Sequence, residues 1–152
     1  MTFPNIFTPE TTATIENRLS KLDTATKPQW GKMNAGQMLA HLNVMYEMVY
    51  DNIHPKPNAF MRFIISAMAK KQVVGPKPYP KNGQTAPQFL IKGDRDFDKE
   101  KSRLITYMQK GVEEGEDVFD GRTSNSFGKL SKDEWNTMFY KHIDHHFMQF
   151  GV

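Results

Sequence analysis

The chain contains no cysteine, which excludes disulfides, zinc–thiolate sites and a cysteine nucleophile together. It also has no apolar run long enough to span a bilayer. The most apolar stretch, 59–69 (AFMRFIISAMA), is too short and is interrupted by Arg62. The first residues, MTFPNIFTPE, have neither a basic start nor an apolar core segment. No secretory signal is therefore expected, and the cytoplasm is the expected location. A net charge of +3 is too small to argue for nucleic acid. The lysines between 70 and 101 are irregularly spaced and diluted by Asp94, Asp96, Asp98 and Glu100. A glycine-rich phosphate loop is missing, as are internal repeats, low-complexity tracts and strand-period alternation. Neither nucleic acid nor a membrane is expected as a partner.

What remains is a helical pattern over 152 residues, enough for one domain (1–152) with a sizeable core. Thr8-Pro9-Glu10 opens a helix that the pattern carries to about Leu22, with Ile15, Leu19 and Leu22 inward. Residues 23–33 form a connector in which Trp30 is expected to pack on the core. Asn34 and Gln37 make a capping box for a helix to about Asp51, with Met38, Leu42, Met45, Met48 and Val49 on its apolar face. After His54-Pro55-Lys56-Pro57, a shorter helix runs from Asn58 to about Lys71 and is apolar nearly all round. Residues 72–96 are rich in proline and glycine and read as a long ordered loop, of the kind that serves as a lid or binding wall. A helix from Phe97 to about Glu114 and a loop over 115–130 follow. Ser131 and Glu134 then cap the last helix, to about residue 150. The expected fold is all-α, an antiparallel four-helix bundle with an additional short helix and long loops.

Three histidines fall on apolar helix faces. At about 100° per residue, Trp135, Met138, Phe139, His142, His146, Gln149 and Phe150 share one face of the last helix. His142 and His146 are one turn apart on it, a spacing at which two imidazoles can converge on one ion. His41 lies on the apolar stripe of the helix 34–51 and is the natural third ligand. Three nitrogens leave an open coordination position, the pattern of a catalytic rather than a structural site. They suit zinc, nickel, iron or copper, with zinc or nickel the expected ion. Gln149 lies almost under His146 and is placed to hydrogen-bond a ligand or a bound water. His145 sits about 60° from His142 around the helix, either as a base near the metal or as a surface or dimer-interface histidine. Asp144 is expected to be solvated, His54 to be a loop residue, and the methionines to be core filler rather than copper ligands. No carboxylate is convincingly placed as a general base, because Glu47 lies on the wrong side of its helix relative to His41.

The segments 30–42 (WGKMNAGQMLAHL) and 139–151 (FYKHIDHHFMQFG) resemble the DinB/YfiT-like superfamily of four-helix-bundle metalloenzymes, within it a branch labelled as a domain of unknown function. That superfamily has one histidine on an early helix and a His-x-x-x-His pair followed by glutamine on the last, matching His41, His142, His146 and Gln149. Phe147-Met148 stand where the superfamily often has Arg-Gly. The last helix is expected to close the domain, with nothing beyond Val152 adding to the site. The resemblance implies a divalent metal that activates water or a low-molecular-weight thiol, as a hydrolase or thiol S-transferase acting on a small molecule. It also implies a homodimer. The competing expectation is a non-catalytic dimeric bundle in which the histidines are core residues or the metal merely clamps two helices.

Overall fold

Each of the five helices begins where a side chain can close the first turn. In the computed structural model, which describes residues 3–152, α1 is Pro9–Leu19, α2 Ala35–Tyr50, α3 Ala59–Val74, α4 Phe97–Glu114 and α5 Lys132–Gln149. Thr8, Asn58 and Asp96 accept from backbone amides of the first turns of α1, α3 and α4. Both capping boxes, Asn34 with Gln37 and Ser131 with Glu134, have both of their hydrogen bonds. Helix α1 stops at Leu19, short of Leu22, because the chain tightens into a turn in which Leu22 N–H donates to the Leu19 carbonyl at 3.2 Å. Leu22 is buried all the same. Helix α3 continues past Lys71 to Val74.

The chain is predominantly helical, and the loop 115–130 carries the exception. Thr123–Ser124 pair antiparallel with Gly128–Lys129 as a two-stranded hairpin, β1 and β2, which no alternation in so short a segment could announce. Gly128 takes φ +72° there, a conformation that favours glycine.

Helix α2 packs on both α4 and α5, α1 on α4, and α3 on α5. Phe7, Phe119, Trp135 and Phe139 meet edge to face or stacked in the core, and Tyr46 lies parallel to Phe139 at 4.7 Å between ring centres. Helix α5 is covered around more of its circumference than its apolar stripe implies. Lys141, Ile143 and Phe147 are buried beside the expected face, and Asp144 pairs with Arg18 of α1 at 2.7 Å instead of being solvated.

Between α2 and α4 lies a polar cluster. Arg103 donates to Glu100 at 2.9 Å and also to Glu47. Asn43 donates to Glu100, and His54 is 2.6 Å from Glu47, so His54 closes this network instead of standing as a plain loop residue. Among the described residues, no helix is long and apolar enough to cross a membrane.

Candidate metal centre

The packing of α2 on α5 brings His41 to the His142/His146 pair. Ligand-capable atoms of the three residues all lie within 4.8 Å of one another. Nε2 of His41 is 2.9 Å from Nε2 of His142, and the His41 and His146 rings are 4.5 Å apart between centres. His41 and His146 are buried, and His142 keeps some exposure on the cavity that all three line.

The outer nitrogens determine the tautomers. His41 Nδ1 lies 2.8 Å from the Phe89 carbonyl oxygen. A carbonyl can only accept, so Nδ1 carries the proton and the Nε2 lone pair points inward. His146 Nδ1 lies 2.7 Å from Gln149 Oε1. The Gln149 amide cannot be reversed, because its Nε2 donates to the Trp30 carbonyl at 2.7 Å. His146 is therefore also protonated on Nδ1 and presents Nε2.

Two Nε2 lone pairs thus converge with the third imidazole. Burial holds the pKa of His41 and His146 below the ordinary 6.5 and that of His142 well below it, and the neighbouring imidazoles of the triad lower His142 and His146 further. All three are neutral at physiological pH, the form that ligates a metal. The donor set and its orientation fit a divalent ion with nitrogen preference.

Glycine matters at one position here. Gly31 has φ +82°, and a Cβ on it would lie 2.5 Å from Gln149 Nε2. The connector 23–33 reaches the brace on His146 only because residue 31 has no side chain. Trp30, expected in the core, instead lines the cavity, with the Lys81 ammonium 4.3 Å from its ring centre.

The histidines open on a cavity of about 1170 Å³. The loop expected over 72–96, which begins after Val74, forms much of its wall, Tyr79, Phe89 and Ile91 included, as its length and composition suggested. The wall is mostly apolar and carries Lys32, Lys56 and Arg122 with no aspartate or glutamate. His145 is half-buried on this wall, with its ring 5.5 Å from Tyr79 and 5.9 Å from Trp30. Burial lowers its pKa. It stands outside the triad and is placed as a neighbour to the centre. Glu47 faces the α2–α4 cluster, as its position relative to His41 indicated.

Lys141 was not singled out by any sequence pattern. Its ammonium donates to the carbonyls of Gln72, Gly75 and Lys77 at 2.6, 2.7 and 3.1 Å and lies 4.6 Å from the centre of the Tyr79 ring. It ties the end of α3 and the start of the cavity wall to α5, one residue from His142. A lysine at helical spacing among apolar residues was the only available signal. Asn43 Oδ1 is buried without a partner in the α2–α4 cluster, away from the cavity.

A family model described as "Protein of unknown function (DUF1569)" matches residues 7–151. No curated protein and no solved structure matches the chain.

Proposed function

The chain belongs to this family of proteins of unknown function, and from its own side chains we propose that it is a metal-dependent enzyme whose divalent ion, zinc or nickel, is held by His41, His142 and His146. The observation that carries this reading is the pair of orienting hydrogen bonds, Phe89 on His41 and Gln149 on His146, which leave two buried Nε2 lone pairs facing a third imidazole. Core histidines would also be hydrogen-bonded, but both bonds here use Nδ1 and so leave the same nitrogen, Nε2, facing the shared centre. A bound divalent ion would supply Lewis acidity, lowering the pKa of a water or of a low-molecular-weight thiol at its open position. Beside the histidines the wall is apolar, with Met45, Phe89 and Met138 among its residues. With no carboxylate on that wall, His145 is the residue we assign to take up the proton released, its ring set between Trp30 and Tyr79. Hydrolysis or thiol transfer on a small molecule is the class of reaction this supports.

We propose in addition that α1, α2, α4 and α5 form the four-helix bundle of DinB/YfiT-like proteins, with α3 the additional helix. The contacts of α2 with α4 and α5, and of α1 with α4, support this arrangement.

Metal content by mass spectrometry of untagged protein tests the reading. About one equivalent in the wild type, lost in both His41→Ala and His142→Ala, is the expected result. A wild type that carries none and takes up none from added zinc or nickel rules it out.

A further inference from the structure

The stretch from residue 52 to residue 93 contains no aspartate or glutamate and seven lysines and arginines. The rest of the chain has thirteen cations against seventeen acids, so unbalanced positive charge is gathered into one continuous stretch of the sequence. The same stretch holds six of the eight large apolar side chains left exposed among the described residues, namely Ile53, Phe60, Met61, Phe63, Met68 and Leu90.

Helix α3 lies at its centre and is apolar on both sides, with Ile64, Ile65, Val73 and Val74 partly covered and a second apolar face turned outward. None of its residues is buried. Phe60, Phe63 and Met68 are 72%, 71% and 79% exposed, Met68 at the edge of the histidine-lined cavity, whereas Arg62, Ile64, Ile65 and Ser66 are the more covered. At about 100° per residue, Phe60, Phe63, Ala67 and Met68 share one outward face with Lys71 beside them. A helix that turns phenylalanines to water in a folded chain marks an interaction face.

The charges say what the face fits. Lys56, Lys71, Lys77 and Lys92 are exposed and without an ion pair among the described residues, and only Lys70 of the seven has one, to Glu134. Lys56 also reaches the cavity wall, but Lys71, Lys77 and Lys92 are spread along a helix and a long loop outside it. That distribution suits a layer of anionic headgroups, with the phenylalanines and methionines reaching the acyl boundary. A second copy is a poor occupant, because a symmetric contact would set the acid-free stretch against itself. The shortage of long apolar segments bears on crossing a bilayer and not on lying at its surface.

We propose that α3 with the flanking stretch 52–93 is an interfacial docking face for membranes rich in anionic lipid. The same stretch supplies Ile65, Val73, Tyr79 and Ile91 to the wall of the histidine-lined cavity, so docking sets that cavity beside the headgroup layer. The inference stands without the metal.

Co-sedimentation of the full chain with vesicles tests it, using phosphatidylcholine alone against an equimolar mixture of phosphatidylcholine and phosphatidylglycerol, at low and high salt. The expected result is binding to the mixed vesicles, little to phosphatidylcholine, and weakening by salt. A Phe60→Ser/Phe63→Ser variant, both positions being exposed, should keep its melting temperature and lose roughly tenfold or more in partitioning. Failure of the wild type to bind mixed vesicles overturns the proposal, as does undiminished binding of the variant. A wild-type dimer that the same variant converts to monomer also overturns it, since a second copy would then cover the face.

Discussion

Gln149 holds His146 through a 2.7 Å hydrogen bond from the imidazole Nδ1–H to the amide Oε1, and is itself held by the Trp30 carbonyl. The brace links the last turn of α5 to the connector before α2, so the tautomer of one candidate ligand depends on a residue more than a hundred positions away. Gln149→Leu keeps the volume and removes the acceptor. Metal affinity, measured by competition with a chromophoric chelator, should fall by about 10- to 100-fold, while the helical content stays unchanged.

Gly31→Ala should act on the same brace from the other side. The added Cβ meets Gln149 Nε2 at 2.5 Å and occupies a backbone conformation at φ +82° that L side chains resist. We expect a loss of about 1–3 kcal/mol in chemical denaturation, together with weaker metal retention. If Gly31→Ala and Gln149→Leu work through one brace, the double variant should lose less affinity than the two single effects combined.

Lys141→Met removes a buried ammonium from the three carbonyls to which it donates. Burial lowers the lysine's pKa to about 8, yet all three of its N–H donors are used. The variant should lose about 2–4 kcal/mol. Amide exchange should rise first around residues 72–79, where the cavity wall leaves α3.

The triad makes stability depend on pH in the metal-free protein. Folded His41, His142 and His146 have pKa values below the 6.5 they take when unfolded. The unfolded chain therefore binds more protons below that value, and stability falls as pH drops through it. Above about pH 7 the contribution is constant. Thermal melts of chelator-treated protein at about pH 8 and about pH 5 should differ in that direction, and His41→Phe should flatten the dependence.

His145→Ala separates chemistry from binding. The residue lies outside the triad, so about one equivalent of metal should remain bound. Turnover of a water- or thiol-activating reaction should fall by about 10²-fold or more, and the pH–rate profile should lose the acid-side limb that His145, its pKa lowered by burial, gives the wild type. Retention of both metal and full rate would remove His145 from the mechanism.

Much of the local structure could be read directly. Ser131 with Glu134 and Asn34 with Gln37 mark helix starts because capping is an interaction between residues three apart, written into the chain itself. The placement of His142, His146 and His41 on apolar faces was legible for the same reason, since helical periodicity is local. The end of α1 and the hairpin 123–129 were not legible, because a two-residue strand offers no period to detect and a helix end is decided by the turn that follows.

What only the tertiary structure decided is how those side chains are used. That His41 meets His142 depends on α2 packing against α5, and that the Nε2 atoms of His41 and His146 face inward depends on a carbonyl at Phe89 and an amide at Gln149. Lys141 shows the reason most plainly. Its sequence position reads as a charged helix residue, and it is buried where the end of α3 and the turn after it present the carbonyls of Gln72, Gly75 and Lys77. Hydrogen bonds between distant segments are met or missed only once the chain has closed, so periodicity could name the three histidines while the packed structure alone oriented His41 and His146.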